Sequence, residues 1–375
     1  KRGSRAPQIL TRSLPQIQTN KGPAMEHIAI DLGGRESQIC IRRANGEIVK
    51  EKKEKTHELR AFLSSRTAGR VILETCAEAF AVADDARASG HEVVVVPATL
   101  VRSLGVGERG IKTDRKDAQV LSQVSTRTRL PSVHIPSREA RQLKSELKLR
   151  ESLVETRTKL VNAVRGYLRQ KLMRIKTGKT SSFPLRVRDA FKVLKEDLPL
   201  CIAGHLKTID CVTEQLTAAD AHIQNVCDKN PIMTLLTQIP GVGPITAATF
   251  VAAVDDRSRF PDAHRLESYL GLTPGERSSS AKIRRTGITK AGAGAVRRTL
   301  SQACWSMWRT RPCDPLVLWA KDIGKRRGKQ IMIVAMMRKL AGIMFAMWRD
   351  QSSFKTNLAS PKHSEISNRM LVKNI

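Results

Sequence analysis

The sequence is short of acidic residues: 35 Asp and Glu stand against 66 Lys and Arg, giving a formal net charge of +31. Charge of this size does not determine a fold, but it predicts a polyanionic partner and salt-sensitive binding. A merely solvated basic surface is the alternative, and the size of the excess favours nucleic acid. With 41% hydrophobic residues over 375 positions, the chain has enough apolar side chains for two or three globular domains.

The chain also lacks any Cys-x-x-Cys pair, because its seven cysteines are scattered. This is typical of reduced, structural thiols in a cytosolic protein rather than of a disulfide framework or a zinc site. No N-terminal segment has the basic start, apolar core and small-residue cleavage site of a secretory signal. The most apolar late stretch, Ile331 to Trp348, contains Arg338-Lys339, which favours a core helix over a membrane span.

Residues 1–24 contain five basic and no acidic side chains. We expect either a flexible basic arm or sequence upstream of a start at Met25. From Met25 the pattern changes to short β runs, with Asn45-Gly46 as a strong hairpin-turn signal. The predicted elements are strands at His27–Leu32, Ser37–Arg43 and Glu47–Glu51, a helix at His57–Ser65, a strand at Arg70–Glu74, a helix at Ala77–Ser89 and a strand at Glu92–Pro97. This order is that of an RNase H-like α/β domain.

Four carboxylates fall at special places in that pattern. Asp31 ends the first apolar run and Glu74 ends the fourth predicted strand, while Asp114 and Asp117 lie three residues apart, as neighbours on one helix face. Carboxylate oxygens are the ligands of hard cations such as Mg²⁺, and two such ions clamp the attacking and leaving oxygens in phosphodiester displacement. The alternative is that each acid is an ordinary surface residue or helix cap.

The middle of the chain predicts two long amphipathic helices. Apolar residues recur at helical spacing from Ser137 to about Ile175 and again from Ile202 to Val226, on either side of a polar linker at Lys176–Ser182. We expect an antiparallel helical hairpin or coiled coil, which dimerises or spaces domains. Binding of nucleic acid by its basic faces is a second interpretation.

The region after Pro231 is predicted to be almost wholly helical. The Ile239–Pro244 segment resembles a helix-hairpin-helix turn that approaches a DNA phosphate, although Gly-Val-Gly also serves as a tight turn between packed helices. All four tryptophans lie between Glu276 and Asp350, where we expect core packing more than base stacking. Lys325–Lys329 is the better candidate for phosphate contact.

A serine cluster, Ser278-Ser279-Ser280, precedes a run of cations. A hydroxyl flanked by fixed cations attacks a phosphodiester if a base or metal activates it, whereas a flexible serine-rich loop is the alternative. Between Glu276 and Asp350, 17 Lys and Arg stand against 4 Asp and Glu, which predicts a nucleic-acid-binding surface. Its candidate residues are Lys282, Arg284, Arg285, Lys290, Arg297, Arg298, Lys325, Arg326, Arg327 and Lys329.

The ordered set of short motifs resembles the DEDD transposases of insertion sequences, relatives of the Piv-type DNA invertases. The motifs are Ile30-Asp31-Leu32-Gly33, Leu73-Glu74-Thr75, Lys112-Thr113-Asp114-Arg115-Lys116-Asp117-Ala118, Ile239-Pro240-Gly241-Val242-Gly243, Gly271-Leu272-Thr273-Pro274 and Ile288-Thr289-Lys290-Ala291-Gly292. The resemblance runs from about Met25 to Asp350. Each motif is modest alone, and their order makes the set specific.

The resemblance implies a RuvC-like N-terminal domain, a coiled-coil connection and a C-terminal transposase domain. It implies a Mg²⁺-binding tetrad of Asp31, Glu74, Asp114 and Asp117, with Ser279 as the nucleophile. The family usually has serine followed by glycine where this chain has Ser280-Ala281, and Gly-Asn where this chain has Gly292-Ala293. Ser278 and Ser280 therefore remain candidates for the nucleophile.

We expect a site-specific recombinase that mobilises its own insertion sequence in the bacterial cytosol, bound to DNA at element ends and target. The resemblance also implies a homo-oligomer, dimer or tetramer, and in some members an element-encoded guide RNA. The predicted boundaries are an arm at 1–24, the DEDD domain at 25–130, a helical linker at 131–230, the transposase domain at 231–350 and a tail at 351–375. The alternatives are a metal-dependent Holliday-junction-type endonuclease and a non-catalytic nucleic-acid-binding protein.

Overall fold

The computed structural model describes residues 25–101, 113–276 and 285–355. The chain divides into two compact units, Lys1–Pro136 and Ser137–Ile375. The predicted arm at 1–24 lies outside the described residues, as does the tail beyond residue 355. Because the helical middle belongs to the second unit, a separate linker domain at 131–230 stays a prediction.

The N-terminal unit contains a five-stranded sheet in the order β3-β2-β1-β4-β5. The first three strands are antiparallel, whereas β4 pairs in parallel with both β1 and β5. The five predicted strands and the central position of β1 are confirmed, although β3 runs to Lys55, four residues beyond the predicted end at Glu51. The strands are β1 His27–Asp31, β2 Glu36–Arg42, β3 Ile48–Lys55, β4 Arg70–Glu74 and β5 Glu92–Val96. The helices are α1 Leu59–Ser64, α2 Ala79–Ala88, α3 Ala98–Val101 and α4 Asp114–Arg127.

Helices cover both faces of this sheet, so β1 is buried on each side. Ile28 and Ile30 belong to one core cluster, which includes buried residues of α1 and α2. Ala29 belongs to another, with Leu121 of α4. Since successive strand residues point to opposite faces, odd-numbered positions of β1 face α4.

Polar contacts also hold α4 on the sheet. The Ser125 hydroxyl and the His27 Nδ1 share a buried hydrogen bond of 2.7 Å. One turn earlier, Arg42 Nε donates to the Ser122 hydroxyl at 3.2 Å. Gln119 Nε2 donates to Glu51 Oε1 of β3 at 2.5 Å. These contacts set the position of α4 along β1.

The second unit begins with a long helical hairpin, α5 Arg138–Gln170 and α7 Leu200–Lys229, which pack against each other. Ser137 caps α5, because its hydroxyl accepts from the Ala140 amide at 3.1 Å. A helix that we did not predict, α6 Phe183–Leu194, lies between them and carries Phe183 and Phe191 into a core with the end of α5 and the start of α7. The description of the hairpin as a coiled coil stays a prediction.

The rest of the unit is mostly helical, as predicted, apart from a small β-hairpin. All four tryptophans pack in or against one core, which confirms the packing interpretation. The elements are α8 Pro231–Leu236, α9 Pro244–Val254, α10 Ala263–Tyr269, β6 Pro274–Glu276, β7 Arg285–Ile288, α11 Gly294–Thr310, α12 Pro315–Arg327 and α13 Lys329–Asp350.

Helix α13 is the one helix in the described part of the chain that is long and apolar enough to cross a membrane. Of its apolar window, 61% is buried inside the protein. Met336, Leu340 and Met344 belong to the main core of the second unit. Within this structure α13 is therefore a core helix, as its interrupting Arg338-Lys339 predicted.

The Gly-Val-Gly turn before α9 packs closely against α11. Gly241 has a φ of +82°, and a Cβ at this position would lie 2.6 Å from the Ala303 carbonyl oxygen. Gly243 has no heavy atom within 4 Å of an added Cβ and has a φ of −94°. Close helix packing therefore accounts for the first glycine of this motif.

We predict that Gly241→Ala destabilises the second unit by about 3 kcal/mol, because both the positive φ and the overlap with Ala303 are unfavourable. This lowers the thermal unfolding midpoint by roughly 6–12 °C. Gly243→Ala, the matched control, costs less than about 1 kcal/mol, since it changes only a helix cap. Equal midpoints for the two variants in a calorimetric scan contradict the packing argument.

The His27 contact makes the N-terminal unit sensitive to acid. Burial, and secondarily Arg70, lowers the pKa of His27, while Glu92 opposes the shift. The unfolded chain, whose histidines titrate near about 6.5, then binds more protons than the folded chain, so stability falls as pH drops below that value. The free energy of unfolding is measured by denaturant titration at several pH values from 7.5 to 5.5. In His27→Gln this free energy is expected to fall less steeply with decreasing pH than in the wild type. An unchanged slope contradicts the proposed role of His27.

Candidate active site

Asp31 and Glu74 occupy level positions on neighbouring parallel strands. The register pairs Ile30 with Leu73, and the two acids are the next residues of β1 and β4. Neighbouring strands lie about 4.8 Å apart, and the carboxyl ends of parallel strands meet at one edge of the sheet. Both acids are partly buried. The structure therefore brings together these two predicted site residues.

Helix α4 brings a third acid toward the same edge. Ser125 contacts His27, and Leu121, one turn earlier, packs with Ala29. Asp117 is one turn earlier again, and Asp31 is the next residue of β1 on that face. The rise of one helical turn, about 5.4 Å, is close to the length of two residues of a strand. Asp117 is therefore expected beside Asp31 at the end of β1. Asp117 is only 3% exposed, on the face of α4 that covers the sheet.

Asp114 lies in the same first turn but is exposed. The turn is capped by Thr113, whose hydroxyl accepts from the Lys116 amide at 3.3 Å. Carboxylates at a helix N-terminus are stabilised by the helix dipole. The four predicted acids are therefore a buried one on α4, two partly buried ones at strand ends and an exposed one in the same first turn of α4 as the buried one.

Two residues beside the tetrad escaped prediction. Gln38 pairs with Asp31 across the antiparallel ladder and is 8% exposed, and Lys53 pairs with Gln38 on the next strand. Directly paired residues point to the same face of a sheet. The Asn45-Gly46 turn alone could not have found them, because the β2–β3 register shifts between Ile41 and Arg42 and because the pairing of Gln38 with Asp31 belongs to the β1–β2 ladder.

The donor set fits a hard divalent cation in chemistry and in backbone placement. Asp31 and Glu74 stand at level positions on neighbouring strands, Asp117 is buried on the helix that covers them, and Gln38 pairs with Asp31 across the ladder. Such oxygen ligands suit Mg²⁺, which keeps waters or phosphates in its other positions. Across the described ranges, no three His, Cys, Asp or Glu side chains are close enough to hold an ion as they stand.

The serine loop connects β6 to β7. These strands are antiparallel, with Pro274 opposite Ile288 and Glu276 opposite Arg285. Ser278, Ser279, Ser280, Lys282 and Arg284 lie outside the described residues, and of Arg285 only the backbone is described.

The base of this hairpin is packed tightly backbone to backbone. Gly271 has a φ of +68°, and a Cβ there would meet Ala291 backbone atoms; a Cβ on Gly292, with φ +72°, would meet the Tyr269 carbonyl oxygen. Arg297 Nη1 donates to the carbonyl oxygens of Ala291 at 2.7 Å and Leu270 at 2.9 Å. Arg297, predicted as a nucleic-acid contact, thus stabilises the backbone at the base of the loop.

The remaining predicted cations differ in their surroundings. Arg298 forms an ion pair of 3.2 Å with Glu151 of α5. Lys325 lies 3.3 Å from Asp322 and Arg326 Nε donates weakly to the Asp322 carbonyl, both at the exposed end of α12. The side chains of Lys290, Arg327 and Lys329 are exposed.

Two protein-family models match this chain, and both describe transposases. Residues 28–173 match the IS110-type DEDD transposase model, described as a transposase, and residues 233–315 match the model of the transposase IS116/IS110/IS902 family. Together the two matches cover well over half of the chain.

Several curated transposases are similar along nearly their whole length. The transposase for insertion sequence element IS1111A of Coxiella burnetii is 25% identical over 347 residues, covering 88% of this chain and 91% of the relative. The transposase for IS1328 of Yersinia enterocolitica is 26% identical, covering 87% and 97%. A probable family 20 transposase of Pseudomonas aeruginosa is 24% identical, covering 88% and 99%.

The matched segments contain the tetrad in the first unit and the serine-loop base in the second. The chain therefore belongs to the IS110/IS116/IS902 family of DEDD transposases, which are enzymes that act on DNA.

Proposed function

We propose that this insertion-sequence transposase cuts and rejoins DNA strands with a Mg²⁺-binding carboxylate site and a serine nucleophile. The single observation that carries the proposal is the level register of Asp31 and Glu74, with the buried Asp117 on the helix that covers them. Three acids at one sheet edge, in a chain with nearly twice as many basic as acidic residues, indicate a phosphodiester reaction.

The arrangement of the N-terminal unit supports an RNase H-like, and more narrowly RuvC-like, domain. Its strand order, β3-β2-β1-β4-β5, combines an antiparallel meander with two parallel crossovers. The candidate acids lie on the central strand, on its parallel neighbour and on the helix that covers them. This is the element order from which the sequence predicted the domain.

The residues proposed to hold Mg²⁺ are Asp31, Glu74 and Asp117, with Asp114 at the exposed side. When bound, the metal supplies charge neutralisation at the scissile phosphate and a template for the attacking and leaving oxygens. The protein's own part is to hold the carboxylates in position. Burial of Asp117 and the capped first turn of α4 restrict that part of the set.

Ser279 is the proposed nucleophile, with Ser278 and Ser280 as the neighbouring candidates. Its Oγ forms a bond to the scissile phosphorus, the bond to one DNA oxygen breaks, and that oxygen leaves as a hydroxyl with the proton the serine gives up. A hydroxyl of a second strand then attacks the phosphoserine, and the serine is regenerated. Support comes from the family motifs on both sides of the loop and from the tightly packed loop base.

The proposed partners are double-stranded DNA at the element ends and target, and an element-encoded guide RNA. We also propose a homo-oligomer, dimer or tetramer, because the acids and the serine belong to different compact units. The proposed location is the bacterial cytosol, in association with the nucleoid.

We predict that Asp31→Asn or Glu74→Gln lowers DNA cleavage at least a hundredfold, on the order expected for loss of a group that stabilises the transition state. An amide lacks the charge that binds the metal. Glu92→Gln at the opposite end of the sheet is the control, since it removes an exposed ion pair with Arg70 and the opposing effect of Glu92 on the pKa of His27. Cleavage is measured on a supercoiled plasmid carrying the element ends. Wild-type rates in both tetrad variants favour the non-catalytic binding protein.

We predict that the wild-type enzyme leaves a covalent protein–DNA adduct that survives denaturing electrophoresis, because phosphoserine is an intermediate. Ser279→Ala abolishes the adduct and strand exchange, while the separate variants Ser278→Ala and Ser280→Ala retain both. If nicks form with no attached protein, and all three serine variants remain active, the protein is instead a metal-dependent endonuclease of the Holliday-junction type.

A further inference from the structure

The tip of the helical hairpin is the second strongly basic part of the chain. Between residues 157 and 195 there are twelve Lys and Arg and a single acidic residue, Asp189. This segment includes the end of α5 and all of α6. Such a local excess attracts polyanions regardless of the chemistry at the tetrad.

Within this segment, three arginines surround one pocket. A surface pocket of about 510 Å³ at the end of α5 is lined by Arg165, Arg169 and Arg174, together with Asn162 and Gly166. No acidic side chain lines it, and its volume lies within the range of ligand sites. The pocket is therefore lined by guanidinium groups that can donate hydrogen bonds to an anion, by one amide side chain, and by glycine and apolar side chains.

These arginines differ from others on the same hairpin. Arg188 of α6 is paired with Asp210 of α7 at 2.7 Å. No Asp or Glu among the described residues lies within ion-pair distance of any of the three pocket arginines. Two of them, Arg165 and Arg169, are one helical turn apart, where like charges repel. The fold thus brings three cations together in a pocket that no carboxylate lines, although Arg174 also lines a neighbouring pocket that includes Asp189.

The surrounding structure restricts where these guanidinium groups lie. The Arg165 guanidinium lies 5.3 Å from the ring centroid of Phe183, which is fully buried. After α5 the chain reverses at Leu172, with φ +58°, and the Met173 amide donates to the Leu168 carbonyl at 2.9 Å. This reversal brings Arg174 back toward the last turns of α5. Because the guanidinium groups are already restricted, they lose less conformational freedom when an anion binds.

Gly166 is a second feature of the pocket that packing does not explain. Glycine is less favourable than alanine inside a helix, and Gly166 lies four residues before the end of α5 at Gln170. No heavy atom lies within 4 Å of a Cβ added there, so packing does not require glycine. Because Gly166 lines the pocket, a methyl group at this position would fill part of its floor.

We propose that this pocket binds the phosphate backbone of double-stranded DNA and makes the hairpin tip a DNA contact separate from the candidate active site. Arginine matches phosphate oxygens with paired donors and stays charged. DNA is the favoured source because the family acts on DNA. The proposal does not depend on how the strands are cut.

The test is DNA binding by the full-length protein in EDTA, which separates it from cleavage. Arg165→Gln/Arg169→Gln/Arg174→Gln is expected to lower the affinity for a 40-base-pair duplex at least about tenfold at 0.1 M salt. It should also lower the slope of log affinity against log salt by about 2–3, since three phosphate contacts are lost. Lys144→Gln/Lys148→Gln/Lys229→Gln removes equal charge from exposed positions nearer the hairpin base.

The glycine supplies a second variant that does not threaten folding. Gly166→Ala is expected to raise the thermal midpoint by about 2–4 °C, as a better helix former, yet to lower DNA affinity. Gly204→Ala of α7, which also has open space around it, should raise the midpoint equally and leave affinity unchanged. Equal DNA affinities of the pocket and control triple variants overturn the proposal. So does a loss confined to RNA duplexes of the same length.

Discussion

The parallel pairing of β1 with β4 is the constraint on which the candidate site depends. It places Asp31 and Glu74 level with each other, although 43 positions separate them in the chain. A slip of one residue in either strand would move its acid to the opposite face. Both strands are continuously apolar before the acid, with Ile28 to Ile30 and Val71 to Leu73 fully buried, and this burial on two sides holds the register. The packing of the core therefore fixes the level at which the two acids stand.

Helix α4 adds the third acid by a different means. Its inner face changes in character along its length, from Ser125 and Ser122 through Leu121 to Asp117. The serines hold His27 and Arg42, the leucine joins the core, and the aspartate reaches the sheet edge. One helix face thus combines anchoring residues with a proposed metal ligand, and the anchoring serines lie at the other end of that face.

Much of the N-terminal unit was predictable from sequence, because β1, β2, β4 and β5 contain apolar runs and the β2–β3 turn is Asn-Gly. Asp31 and Glu74 were predicted from strand ends, and Asp114 and Asp117 from their spacing on one helix face. Gln38 and Lys53 were missed because their role depends on pairing across the sheet and not on any local pattern. Helix α6 was missed because Phe183, Val187 and Phe191 are too few to separate it from the polar linker before it; they become informative only once the tip core exists. The β6–β7 hairpin was missed because its strands are short and its geometry depends on Gly271 and Gly292.

The length of the hairpin has a further meaning. Leu143 belongs to the main core of the second unit, and Leu168 belongs to the separate core at the tip. A straight helix between them spans roughly 37 Å at 1.5 Å per residue. That equals about eleven base pairs, or one turn of the DNA double helix. Helix α5 therefore holds the arginine pocket at the tip about one DNA turn away from the main core of the second unit.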